Sequence, residues 1–171
     1  AKGEYVVLLN NDTKIVTPEW LEELLRYAQF DEVGTVGAKL LFEDDTIQHA
    51  GMILLDRHIA GHSYKELEAD TNKYYNFCHT VHEAIGVTAA CAMIKKEKYL
   101  QVGGLDEMYV PNGYGDVDFS LKLVEAGYSN VYTPYAVLYH YESKSRGREI
   151  ENFEKHYMIS RWSQLLMNDP Y

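Results

Sequence analysis

The stretch Tyr5 to Asp12, YVVLLNND, is an apolar run of strand formers that ends abruptly in two amides and a carboxylate. Val and Leu without polar alternation read as a strand buried on both faces, as in a parallel or mixed sheet covered by helices. The polar tip then falls at the carboxyl edge of the sheet, where open α/β folds hold their ligands. Asp12 is the one ionised group of that tip, and its oxygens suit a hard divalent cation. Asn10, Asn11 and Asp12 also read as a polar turn that caps the next helix, and taken alone the stretch favours that simpler reading.

A chain of 171 residues is long enough for one domain with a sizeable core and too short for two ordinary ones. Sixteen basic against twenty-six acidic side chains give a net charge of -10. That balance argues against broad contact with nucleic acid or an anionic membrane surface. A phosphate ligand here would need a metal ion or local backbone donors. No apolar run approaches the roughly 18 residues of a transmembrane helix, so no membrane span is expected. Cys78 and Cys91 are too few and too far apart for a disulfide framework or a Cys-rich zinc site, and reduced thiols in a cytosolic protein are the simplest reading.

After the first strand, Thr17-Pro18-Glu19 has the pattern of a helix start, with Thr17 as N-cap. Trp20, Leu21, Leu24, Leu25 and Ala28 recur at helical spacing as its buried stripe. Val33 to Leu41 reads as a second buried strand, Asp44-Asp45 as a turn, and Ile47 to Leu55 as a shorter strand. The segment 57–82 has no pattern that assigns it a role. Its His58/His62 and His79/His82 spacings would suit a metal on a helix face, but Gly61 and the polar surroundings favour loop histidines. Val87 to Ile94 reads as a further strand whose small residues allow close approach of a ligand, and Gly103 to Glu107 as a tight turn.

The second informative stretch is Gly113 to Gly127, GYGDVDFSLKLVEAG. Val117, Leu121 and Val124 repeat with helical period, with Phe119 and Leu123 beside them, and Asp118, Lys122 and Glu125 form the opposite polar stripe. Asp118 and Lys122 are expected as a surface pair. Asp116 falls just before the helix, where a carboxylate caps the helix or points forward as a base. Asn130 to Tyr141 reads as a strand interrupted at Pro134, with His140 among apolar neighbours, more simply a structural histidine than a ligand. Ser143 to Arg148 is a basic loop, and Glu149 to Met167 an amphipathic helix with Ile150, Phe153, Tyr157, Met158, Trp162, Leu165 and Leu166 as apolar contacts.

Each candidate has a bland explanation alone; their order does not. The succession LLNNDT, PEWLEELL, VGTVGAKLL, TIQHAG, VTAACAMIKKE, VGGLDE, GDVDFSLKLVEAGY and NVYTPYAVLYHYESKSRG resembles the inverting family 2 glycosyltransferases, specifically the bacterial rhamnosyltransferase-like group. The resemblance implies an α/β fold of the GT-A type, a mixed sheet flanked by helices. It implies a carboxyl-terminal GT-A portion over residues 1–148, without the N-terminal nucleotide-binding half, and a C-terminal helix over 149–171 packing on it. Asn10-Asn11-Asp12 falls on the family's DxD-type motif, with Asp12 as metal ligand and Asn10 where many relatives have Asp. Asp116 falls on the Asp of the ED-type motif, the general base, and the acid before it is Gly115 here. His140 matches a histidine that completes the metal's shell in related enzymes. Ala89 and Ala90 fall in the donor-binding segment, with Ala89 in place of a common glycine.

The implied activity is transfer of a sugar from a nucleotide-diphospho-sugar to the hydroxyl of a saccharide or lipid-linked saccharide acceptor, in cell-surface polysaccharide synthesis. Mg²⁺ or Mn²⁺ would offset charge on the leaving diphosphate, and one carboxylate would take the acceptor's proton in a single inverting displacement. The implied location is cytoplasmic, at the inner face of the membrane for a longer protein. The isolated chain is expected to be inactive and to self-associate through Tyr5–Leu9. Two alternatives stand beside this reading: a metal-dependent hydrolase of phosphate or sugar esters, and a catalytically silent glycan-binding or scaffold domain.

Overall fold

A computed structural model of the chain describes residues 1–55, 59–141 and 152–167. At its centre is a mixed seven-stranded sheet in the order β1 (Tyr5–Leu9), β8 (Cys91–Lys95), β3 (Val33–Leu41), β9 (Ser129–His140) and β2 (Thr13–Ile15). β4 (Ile47–His49) adds to β3, and β7 (His82–Ala84) adds to β9. β3 and β9 run parallel and the other pairings are antiparallel. β5 (Met52–Leu55) and β6 (Ile59–His62) form a separate hairpin.

β3 is the doubly covered strand, with all nine residues buried. β1 is not, despite its composition. It lies at the end of the sheet beside β8, half-buried over four residues and exposed at Leu9. An apolar run reports the company that side chains need, not how many strands flank it.

α1 (Trp20–Ala28) packs on β3 and β9 through Trp20, Leu24 and Ala28, while Leu21 and Leu25 of the expected stripe stay exposed. Thr17 does not cap this helix, whose cap position is Glu19; the Thr17 hydroxyl accepts the Val137 amide instead and ties the lead-in to β9. A short α2 (Lys96–Gln101) follows β8. On another side of the core, α3 (Gly115–Glu125) and α4 (Asn152–Leu166) bury Val117, Leu121, Met158 and Trp162 with Met52 and Ile59.

Several expected boundaries move. The Ile47 to Leu55 run breaks at Gly51, whose φ of 93° is open to glycine at little cost, so that β4 and β5 belong to different sheets. Val87 to Ala90 is loop, and β8 begins at Cys91. β9 runs through Pro134, but its register with β3 jumps from Ala38↔Thr133 to Lys39↔Val137, which accommodates the proline as a bulge. Asp118 is fully buried rather than on a surface stripe, because α4 covers that side of α3. Phe153 is exposed on α4, and Tyr157, Leu165 and Leu166 are only partly buried. His58, the basic stretch Ser143 to Arg148, and Ile150 lie outside the described residues. No described helix is long and apolar enough to cross a membrane.

Candidate functional site

A cleft of about 540 Å³ is lined by Asn10, Asn11, Asp12, Ala89, Ala90, Asp116 and His140, so every residue that the resemblance assigns to the site reaches one cavity. Strand pairing does the gathering on one wall. The Asn10 amide donates to the Ala90 carbonyl at 2.9 Å as β1 ends. β2 then pairs with β9 so that Thr13 faces His140, and the Tyr141 amide donates to the Asp12 carbonyl at 2.9 Å. This register leaves His140 Nε2 at 3.2 Å from Asp12 Oδ1 and 3.1 Å from Asn10 Nδ2.

Gln48, which the sequence did not single out, fixes the state of that imidazole. Its Nε2 donates to the His140 carbonyl at 3.2 Å, so its Oε1 must be the atom 2.7 Å from His140 Nδ1. Nδ1 therefore carries a ring proton, and Nε2 is the nitrogen turned toward Asp12 and Asn10. The 3.2 Å gap suits a proton on Nε2, which makes an imidazolium–carboxylate pair, or a metal ion bound to both atoms. In an octahedral Mg²⁺ or Mn²⁺ shell, adjacent ligands about 2.1 Å from the metal stand about 3 Å from each other, so this pair fits such an ion. No group of three His, Cys, Asp or Glu suited to a metal occurs among the described residues. Two protein ligands with the remainder from phosphate and water is the usual arrangement for Mg²⁺.

The opposite wall is built differently. Asp116 is the second residue of α3, inside the helix rather than before it, and the cap position is Tyr114. Its Oδ1 accepts the Val117 amide at 2.9 Å and its Oδ2 the Ala89 amide at 3.3 Å. The Ala89 contact ties it to the loop before β8. A Cβ on Gly115 would lie 3.1 Å from the Val110 carbonyl oxygen, so a larger residue there requires that loop to give by a few tenths of an ångström. α4 buttresses this wall. Glu154, fully buried, accepts the Gly113 amide at 2.8 Å with Oε2, and its Oε1 has no partner among the described residues. Trp162 Nε1 donates to Asp118 at 2.9 Å, and Lys122 lies 3.0 Å from the same carboxylate.

Of the histidines of 57–82, His62, His79 and His82 are described, and none of them lies on an α-helix. His62 ends β6, and its Nδ1 lies 2.6 Å from Nδ1 of the buried His49. The Gly51 and Thr88 amides donate to His49 Nε2 at 3.3 and 3.4 Å, so His49 holds its proton on Nδ1 and gives it to His62. Burial, then the nearby His62 and His82, push the His49 pKa well below its usual value. His79 and His82 bond to the carbonyls of Thr71 and Thr80. Gln48 and His49 sit in the TIQHAG segment, where nothing in the local pattern announces contacts 92 and 39 residues away.

No family model matches the chain. It is 40% identical over 178 aligned positions to the uncharacterised protein y4gI of Sinorhizobium fredii, covering 99% of this chain and 20% of that one. It is 39% identical over 147 residues to the O-antigen biosynthesis protein RfbC of Myxococcus xanthus, covering 85% and 12%. A stretch of 63 residues is 35% identical to the N-acetylglucosaminyl-diphospho-decaprenol L-rhamnosyltransferase of Mycobacterium tuberculosis, covering 37% and 20%. The chain thus spans 20% or less of the length of these relatives. Among solved structures, GalNAc-T7 with UDP, GalNAc and Mn²⁺ superposes with a TM-score of 0.70 at 12% identity, over 97% of this chain and 33% of that one. The mannosyltransferase PcManGT of Pyrobaculum calidifontis with GDP-Man and Mn²⁺ gives 0.51 at 17%, over 86% and 34%. At these identities the likeness is one of fold, the GT-A mixed sheet.

Proposed function

We propose that this chain, a rhamnosyltransferase-like member of the family 2 glycosyltransferases with the GT-A fold, carries the metal site and the base of an inverting sugar transfer. The reaction takes a sugar from a nucleotide-diphospho-sugar to an acceptor hydroxyl in surface-polysaccharide synthesis. One observation carries the reading: a single cleft holds the Asp12–His140 pair and, from a different element, the Asp116 carboxylate.

Asp12 Oδ1 and His140 Nε2 would hold Mg²⁺ or Mn²⁺, with Gln48 keeping the imidazole in the ligating tautomer. When bound, the ion offsets the charge that builds on the departing nucleoside diphosphate. Asp116 takes the proton of the acceptor hydroxyl as that oxygen bonds to the anomeric carbon and the bond to the diphosphate oxygen breaks. The Val117 and Ala89 amides keep the carboxylate aimed while it is ionised. Asn10 and Asn11 line the same cleft and would lie near such an ion, and the small side chains of Ala89 and Ala90 would leave room for the donor sugar.

The test is Asp116→Asn in the longer protein, with transfer and donor binding measured separately. Transfer falls by about 10²–10⁴ while donor affinity holds. Undiminished turnover overturns the assignment of the base, and release of free sugar without transfer to any acceptor moves the activity to hydrolysis.

A further inference from the structure

Besides His140, the described lining of the cleft holds one further imidazole, that of His62, half-buried at the end of β6. Its Nδ1 lies 2.6 Å from Nδ1 of His49, and the two rings meet edge to face, 4.9 Å between centroids and 82° between planes. The proton in that contact is assigned from the far side of His49. That residue is fully buried, burial holds it neutral, and its Nε2 accepts the Gly51 and Thr88 amides. A neutral imidazole has a single N–H, here on Nδ1, so His62 Nδ1 is the acceptor. His62 then carries its own proton on Nε2, the ring nitrogen on the side away from His49.

This arrangement fixes the charge of His62 as well. The described lining of the cleft includes Asp12, Asp106, Glu107 and Asp116 against one Lys or Arg, Lys65. Carboxylates in such number favour the imidazolium form of a histidine among them. At His62 that form would set an Nδ1–H against the Nδ1–H of His49 at 2.6 Å, and the pair would have to open. The dyad thus keeps His62 an uncharged donor in an acidic cavity. The backbone holds the pair together. His62 stands opposite Met52 in the β5–β6 ladder, and the Ser63 amide donates to the Gly51 carbonyl at 2.9 Å. Gly51 therefore grips the His49 ring with its amide and the end of β6 with its carbonyl. A donor whose tautomer and strand are both fixed needs little ordering when a ligand arrives.

We propose that His62 is a specificity-determining residue for the acceptor: its Nε2–H donates to a sugar oxygen of the acceptor while Asp116 faces the attacking hydroxyl. His49 is the positioning residue that decides which nitrogen of His62 carries the proton. The chemistry of the cavity selects such a ligand. Carboxylates take the protons of hydroxyl groups but give nothing to their oxygens, so a neutral polyhydroxylated molecule needs a donor opposite them. An uncharged N–H meets that need without bringing a charge that Asp116 or Glu107 would capture. The inference rests on the transferase reading and names the group that holds its acceptor sugar.

The test is a titration of the 171-residue chain, ¹⁵N-labelled at histidine, with the methyl glycosides of glucose, galactose, N-acetylglucosamine and rhamnose. In the ligand-free chain the tautomers read Nδ1–H for His49 and Nε2–H for His62; any other assignment overturns the dyad and the proposal with it. At least one glycoside moves the His62 Nε2–H resonance to saturation with a Kd of about 1–100 mM. His62→Leu weakens that glycoside about five- to tenfold, read by saturation transfer to the sugar, and His62→Gln, which keeps a side-chain N–H, recovers most of the loss. A methyl glycoside has no diphosphate and reports on the acceptor side, so saturating UDP with Mn²⁺ leaves its response in place. Silence of His62 toward all four glycosides, full affinity in His62→Leu, or displacement by UDP overturns the inference. If it fails in one of these ways while Asp116→Asn still lowers transfer in the longer protein, the sugar contact falls and the transferase stands. If the glycoside binds as expected and Asp116→Asn has no effect, the base falls and a sugar-binding site remains.

Discussion

The two walls of the cleft are held by different means. Asp12 and His140 are set by a strand ladder: β2 against β9, one further backbone bond to Tyr141, and the Gln48 amide clamped on His140. Asp116 stands at the start of a helix, and the loop before it is fixed by the Glu154 side chain reaching in from α4. Backbone ladders survive the loss of a side chain, whereas a wall held by side chains transmits it. Substitutions on the first wall should therefore act on ligand affinity with the fold intact, and substitutions behind the second should alter turnover and stability together.

The largest effect is expected from Asp12→Asn, which replaces the only carboxylate of the metal pair by an amide. Mn²⁺-dependent donor binding falls by more than about a hundredfold while the thermal unfolding midpoint stays put. A midpoint that drops with the affinity would show that the ladder does not hold this wall alone. Gln48→Leu comes next. Without the Oε1 acceptor the imidazole loses its fixed tautomer, and Mn²⁺ affinity drops about 10–100-fold. Direct metal titration reads this, and unchanged affinity would mean that Gln48 serves only the sheet.

On the second wall the corresponding change is Glu154→Leu. It leaves the Gly113 amide without its acceptor, at a cost of about 1–3 kcal/mol, and lowers kcat without changing donor affinity. Glu154→Gln keeps an acceptor and should restore most of both. Loss of stability with kcat intact would separate α4 from the positioning of Asp116.

The same contrast decides what could be read from the sequence. That Asp12, Asp116 and His140 share one cleft was legible because each lies at or next to the end of an element whose periodicity is local, and the order of segments pointed to the three together. β3 and α3 are legible for the same reason. Gln48, His49, His62 and Glu154 are not, since each acts through partners 13 to 92 residues away that only strand order and helix docking bring near. Asp118 shows the limit from the other side: its spacing to Lys122 is that of a surface pair, and only the arrival of Trp162 on α4 makes it a buried one. β1 fails likewise, because composition does not say which strand is the outermost.

His49 joins the two walls, and its effect is the smallest and the most diagnostic. It follows Gln48 in β4 and accepts the amide of Thr88, whose neighbour Ala89 donates to Asp116. Burial keeps it neutral in the folded chain, with His62 and His82 adding to the depression, and burial lowers the pKa of His82 as well. An unfolded histidine takes up a proton below about pH 6.5. The unfolded state then binds more protons than the native one, so stability present above that pH is lost as the pH falls through it, by at most about 1.4 kcal/mol per pH unit for each proton. Thermal unfolding between pH 7.5 and 5.5 should show this decline, and His49→Gln should flatten it by about one proton's worth. Were the slope unchanged in that variant, the acid response would belong to other groups, and the two walls would be coupled by the loop backbone alone.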